Sequence, residues 1–385
     1  MEDWDEVWRR NQFLCTELVR RHPSLKILFV GLPVDISNSI RRARFSNLMR
    51  RKAKLVEGSG NIRLSHPVKL LPNSLTPSRK LNEIMFRRHV ASAARSFGIR
   101  RPLLWLNAHS AVHAVGKMDE IGVIYDITDD WTALTQSRRL RELIIRQDSE
   151  LCRRADVTIV CSNRLHELKR SICRQLYLIP NGVDIEHYRL AFDGGELPIA
   201  AEAWERPVLG YTGTIHPDRV DVDLVEAIAK DMTSGTIVLI GPNHLRHEHR
   251  ERLQTLRRVV ITGAVPYQVL PQYMRAFDVC ITPHVRTQFT ESLNPIKLWE
   301  YLATGKPIVA TDVAGFRDYP EFVRIAADAK SFVSAVATSM NEGPEIKAAR
   351  RAEAARHSWR VRVDRVDEAI QACIVGIEKH ANHRL

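Results

Sequence analysis

The sequence predicts an α/β protein of two Rossmann-like, doubly wound domains facing a central cleft. Three observations lead there. Ten short, continuously apolar runs alternate with helix-like stretches over almost the whole chain, as parallel strands covered on both faces do. The alternation breaks once, at about residues 190–206, where Phe192-Asp-Gly-Gly-Glu-Leu-Pro198 ends one series before Pro207 opens another. The length of 385 residues suits two domains better than one.

Taken in order, the first domain (residues 1–190) has strand-like runs at 26–31, 102–106, 122–125, 157–160 and 176–179. The second (residues 205–357) has them at 208–211, 236–240, 259–261, 279–282 and 307–310. Ligands of such sheets bind beyond the carboxyl ends of the strands. In the second domain those ends carry Gly213 and Thr214, Gly241, Gly263, and Pro283 with His284. Small residues there let a ligand approach the backbone.

The most specific segment is Glu291-Ser-Leu-Asn-Pro-Ile-Lys-Leu-Trp-Glu-Tyr-Leu-Ala-Thr-Gly-Lys-Pro307. Asn294 is placed to cap a helix, Pro295 suits its first position, and Gly305 with Pro307 stops it. A helix start offers unpaired N–H groups to a phosphate. Lys297 in the first turn opposes the helix dipole unless an anion binds nearby, and Glu300 three residues on shares its side. Lys297 would then meet phosphate while Glu300 accepts sugar hydroxyls. A plain surface ion pair is the equal alternative.

Composition narrows the class. With 44% hydrophobic and 26% charged residues the chain is globular, and no apolar run approaches the roughly 18 residues of a membrane span. The acidic start lacks a signal-peptide pattern. Six scattered cysteines without a CxxC pair fit a reducing compartment and no zinc site. A cytoplasmic location is expected. The charge is uneven: residues 36–118 hold 17 basic residues against two acidic ones. Within them, Arg41, Arg42, Arg44, Arg50, Arg51 and Lys52 surround Phe45, Leu48 and Met49 at helical spacing, a pattern of membrane-surface binding. A solvated basic face is the alternative.

These motifs, in this order, resemble the GT-B glycosyltransferases, particularly the family 4 group of bacterial polysaccharide enzymes. The match runs from Leu178-Ile-Pro-Asn-Gly-Val-Asp184 through Tyr211-Thr-Gly-Thr214, Gly263-Ala-Val-Pro-Tyr267 and Phe277-Asp-Val279 to Pro295-Ile-Lys-Leu-Trp-Glu300 and His357-Ser-Trp359. It covers about residues 120–375. The resemblance implies that the second domain holds a nucleoside diphosphate sugar. Lys297, the amides around Asn294 to Ile296 and the loop of Gly213 and Thr214 would bind the diphosphate. Glu300 would hold the ribose, and Val265 to Tyr267 would contact the base. It also implies that a helix at about residues 358–385 packs back onto the first domain. Members usually carry a second glutamate ahead of the ribose-binding one, against the sugar; Ser292 stands there, with Glu291 one place early. A branch that transfers glucuronate with inversion carries Lys-x-x-Gln in this helix, similar to Lys297-x-x-Glu300, so retention and inversion both stay open.

In the first domain, Tyr125-Asp-Ile-Thr-Asp-Asp-Trp131 resembles the segment of that branch that supplies an aspartate base. Asp129 or Asp130 would take the acceptor proton; helix capping by one of them is the alternative. Trp8-Arg-Arg-Asn-Gln12 is similar to an N-terminal segment of related enzymes, with no role attached. Asp221-Val-Asp223 and His244, His247 and His249 read as capping acids and an exposed basic stretch rather than metal ligands.

The expected function is therefore metal-independent transfer of a hexose-type sugar from a nucleoside diphosphate to a polysaccharide or lipid-linked acceptor at the inner membrane face, without a cofactor. The alternatives are a sugar-nucleotide epimerase of the same fold, a catalytically inactive scaffold, and a nucleic-acid-binding protein. The last has only charge in its favour and no nucleic-acid motif, so no nucleic-acid partner is expected.

Overall fold

The computed structural model describes residues 4–382, apart from residues 6, 36–53, 57, 58, 73–75 and 135. The six basic residues of the expected membrane patch, Arg41 to Lys52, lie outside the described residues. The strands are β1 (Ile27–Val30), β2 (Val34–Asp35), β3 (Lys54–Val56), β4 (Ser59–Ser65), β5 (Val68–Lys69), β6 (Leu103–Leu106), β7 (Gly122–Ile127), β8 (Val157–Val160) and β9 (Leu176–Leu178). They continue with β10 (Val208–Thr212), β11 (Thr236–Ile240), β12 (Val259–Gly263), β13 (Val279–Thr282), β14 (Ile308–Thr311) and β15 (Val323–Ala326). Every apolar run picked from the sequence is a strand.

In the second domain six parallel strands pair in the order β12-β11-β10-β13-β14-β15. The order reverses beside β10, and such a reversal opens a crevice at the strand ends. Strands β10, β11, β13 and β14 are buried on both faces. One face packs against Leu298, Trp299 and Leu302 of the helix Ile296–Thr304. The other packs against Val225 and Ile228 of Val222–Asp231 and Phe332 of Ala329–Ser339. Continuous apolar strands are what this double cover requires.

The first domain departs from one simple sheet. Four parallel strands run β6-β7-β8-β9, while β1, β4 and β3 form a separate mixed sheet and β2 pairs with β5 alone. The sequence of β4, Ser-Gly-Asn-Ile-Arg-Leu-Ser, alternates rather than running apolar, because it pairs antiparallel with β3 at the rim.

The N-terminal helix Arg10–Arg21 and the closing helix Trp359–Asn382 lie together. Phe13 stacks on Trp359 at 4.9 Å, and Arg21 pairs with Asp364 at 2.5 Å. The closing helix also packs on β7 and β8. The chain thus passes between the domains twice, and the two passes touch: the Val183 amide donates to the His357 carbonyl and the Trp359 amide to the Val183 carbonyl, each at 3.1 Å.

Candidate functional site

A cavity of about 530 Å³ opens between the two domains, within the size range of small-molecule sites. The loops after β10, β11, β12 and β13 form its second-domain wall, with the start of the helix Ile296–Thr304. The other wall takes Trp8 to Asn11, Asn107 after β6, and Thr128, Asp129 and Trp131 after β7.

Gly213 and Gly241 make the second wall thin. Gly213 has φ +128° and Gly241 φ +146°, backbone that side-chain-bearing residues rarely adopt. A Cβ on Gly241 would lie 2.1 Å from the Gly213 carbonyl oxygen, and one on Gly213 would lie 2.9 Å from Lys297 Nζ. The loop therefore closes directly over the lysine. Lys297 Nζ donates to the Tyr211 hydroxyl at 2.8 Å and lies 3.5 Å from His284 Nε2. Burial, with Arg219 nearby, pulls the Lys297 ammonium down to about 7, which Glu300 partly offsets. Burial and the adjacent Lys297 and Arg219 hold His284 well below its usual range, so its ring is neutral. Burial raises the Glu300 carboxyl, against the pull of the Tyr188 hydroxyl and Lys297. A lysine this desolvated, with no carboxylate salt-bridged to it among the described residues, favours an incoming anion.

The helix begins at Ile296, not Pro295, and Pro295 rather than Asn294 occupies its cap position, without a side-chain hydrogen bond. The Asn294 side chain is used elsewhere: its Oδ1 accepts from the Asn181 amide at 2.8 Å, and its carbonyl accepts from Asn181 Nδ2 at 2.5 Å. Gly305, at φ +73°, ends the helix as its position suggested.

The structure brings Gly213, Thr214, Val265, Tyr267, Asn294, Ile296, Lys297 and Glu300 into one wall and Asp129 into the other. Two expected residues are turned away. Ser292 is buried outside the cavity, donating to the Phe289 carbonyl at 2.7 Å while its own carbonyl accepts from Ser162. Neighbouring Glu291 is tied to Arg317 at 2.7 Å. Asp130 caps the short helix Trp131–Ala133, accepting from the Thr132 amide at 3.1 Å. Tyr267 lines the cavity with its edge, because its faces stack on Trp8 and His187.

Arg219 lines the cavity without having been picked from the sequence, and so does Arg10, of the Trp8–Gln12 segment to which no role was attached. Arg219 reaches across to within 3.6 Å of Asp129. Asp221 caps the helix Val222–Asp231 and Asp223 pairs with Arg252. Among the described residues no group of three or more metal-ligating side chains converges.

Two domains with a nucleotide-sized cleft at the strand ends define the GT-B class, and the chain has that fold. Residues 206–342 match the family Glycosyl transferases group 1. TuaH of Bacillus subtilis (strain 168), provisionally assigned as a teichuronic acid biosynthesis glycosyltransferase, is 28% identical over 202 residues. That match spans about half of this chain and half the length of the relative. Among solved structures, sucrose-phosphate synthase from Thermosynechococcus elongatus aligns over 96% of this chain and 94% of its own, with TM-score 0.70 and 16% identity. Anabaena HepE, solved in complex with UDP and glucose, aligns over 96% and 98%, with TM-score 0.66 and 15% identity. At such identities the likeness is one of fold. The GT-B fold read from the sequence is borne out, and the group 1 match falls on the second domain.

Proposed function

We propose that the chain is a glycosyltransferase that moves a hexose-type sugar from a nucleoside diphosphate donor to a cell-surface polysaccharide or lipid-linked acceptor. The observation that carries this is Lys297: a half-buried lysine under the Gly213 loop, in the first turn of a helix, one turn before a carboxylate. The helix amides and Lys297 would take the diphosphate, Arg219 would add a second cation, and Glu300 would accept the ribose hydroxyls. These groups supply the positive charge, so no metal is required in this reading.

Asp129, rather than Asp130, would act on the acceptor. It lies across the cleft from the donor wall, whereas Asp130 is spent on a cap. A carboxylate there suits general-base removal of the acceptor proton, and hence inversion. With Ser292 and Glu291 both turned out of the cavity, the sugar is held without the usual first glutamate.

The acceptor face would meet an anionic membrane. Leu70, Leu71, Leu81 and Ile84 are exposed in the first domain, beside exposed Lys80 and Arg88, and basic apolar surfaces of this kind bind anionic lipid. Among the described residues no helix is long and apolar enough to cross a membrane. The test of the whole reading is calorimetric binding of UDP, GDP, ADP and dTDP without metal, followed by NMR of the product's anomeric centre. Binding of none of them would overturn the donor site, and net retention would overturn the role of Asp129.

A further inference from the structure

The roles above leave Arg10 unused. It stands at the first position of the N-terminal helix, where a cation opposes the dipole, and it is only 2% exposed. Its Nε donates to Asp126 Oδ2 at 3.0 Å, and Asp126 is fully buried. The fork is half made: Arg10 Nη2 and Asp126 Oδ1 are both buried without a hydrogen-bond partner. A buried ion pair with unpaired ends is a poor device for stability, since apolar packing would serve at least as well. Its geometry suggests what it does instead.

Arg10 Nη1 donates to the Pro180 carbonyl and to Asn181 Oδ1, each at 3.2 Å. Asn181 in turn holds Asn294 by the two hydrogen bonds already described. The path Asp126–Arg10–Asn181–Asn294 begins three residues before Asp129 and ends three residues before Lys297. It therefore ties the strand end ahead of the acceptor-side carboxylate to the residue just before the helix that presents the diphosphate lysine. Two residues earlier, Trp8 stacks on Tyr267 at 5.1 Å with 14° between the ring planes, so the same segment also grips the loop after β12.

We propose that Arg10 is a positioning residue which, through Asn181, fixes the donor helix relative to the Asp129 loop. This rests on the donor-site reading for its ligand but not for its geometry. The test combines UDP titration with hydrogen exchange of the unliganded protein. Asn181→Ala removes both side-chain bonds of the path, from Arg10 and to the Asn294 carbonyl, without stranding a buried charge, and leaves only the backbone bond from residue 181 to Asn294 Oδ1. It should weaken UDP binding about tenfold and speed exchange over residues 293–300, while strand β11 exchanges as before.

Arg10→Ala should act in the same direction. The double variant should bind UDP within about twofold of Arg10→Ala, because both changes cut one path. Arg10→Lys can still pair with Asp126 but cannot fork to Asn181 and Pro180 together. It should recover the melting temperature and not the affinity, a split that a purely stabilising residue would not show. Wild-type affinity and wild-type exchange in both single variants would overturn the proposal, as would independent, additive losses. If the wild-type protein binds none of UDP, GDP, ADP and dTDP, the donor reading fails, and the exchange of residues 293–300 alone decides the role of Arg10.

Discussion

The Lys297 ammonium makes donor binding depend on pH with a definite sign. In the free protein burial holds this group at about 7, whereas a bound diphosphate favours the charged form and raises it. Binding therefore takes up a proton, about half of one near pH 7. The charged fraction falls from about nine-tenths near pH 6 to about one-tenth near pH 8, so affinity should drop roughly tenfold across that range. His284, held well below its usual range by burial, stays neutral across this interval and does not reverse the sign. UDP-glucose is the right probe, because its diphosphate is esterified at both ends and does not titrate near neutrality. Calorimetric titration in buffers of different ionisation heat reads affinity and proton uptake together. Lys297→Arg, charged throughout, should flatten the profile. A flat wild-type profile, or a Lys297→Arg profile as steep as the wild type's, would refute the reasoning.

Three further outcomes are expected. Glu300→Gln should weaken UDP by about tenfold while leaving inorganic pyrophosphate binding within about twofold, since only the ribose contact is lost; equal losses for both ligands would count against a ribose role. Asp129→Asn should cut the transfer rate by roughly 10²–10⁴ with UDP affinity retained, whereas Asp130→Ala should lower stability by about 1 kcal/mol through its lost cap and keep activity. A chemical-denaturation series beside an activity assay separates the two aspartates, and the reverse pattern would exchange their roles. Gly213→Ala should strain the loop by about 1–2 kcal/mol and push its methyl against Lys297, weakening UDP by at least about tenfold in the same titration.

Most of the sheet was readable because strands covered on both faces must be apolar throughout, and β10, β11, β13 and β14 are. The strands missed are those the rule does not govern. In β15, Arg324 and Ile325 are exposed between buried ends, since it edges its sheet, and β2 and β5 are two residues each. In the site, Lys297, Glu300 and Gly213 could be read because one local segment and one strand end carry them. Asn294 was misplaced because a helix-capping residue and a residue holding a distant chain segment look alike in sequence. Ser292 was drawn into the site by its offset from Glu300, although its hydroxyl has a nearer backbone acceptor. Arg219 meets the cavity only through a tertiary contact, so no spacing announces it, and Arg10 stood in a segment whose role only the fold reveals.

The two passes of chain between the domains have a mechanical consequence. Residues 180–184 and 357–359 run side by side, joined by paired hydrogen bonds. A Cβ at Gly182 would fall 2.9 Å from both the His357 carbonyl oxygen and the Trp359 nitrogen, so the glycine lets them lie that close. The second domain is thereby held at both of its ends by one seam, and that seam carries Asn181, which bonds Asn294 just ahead of Lys297.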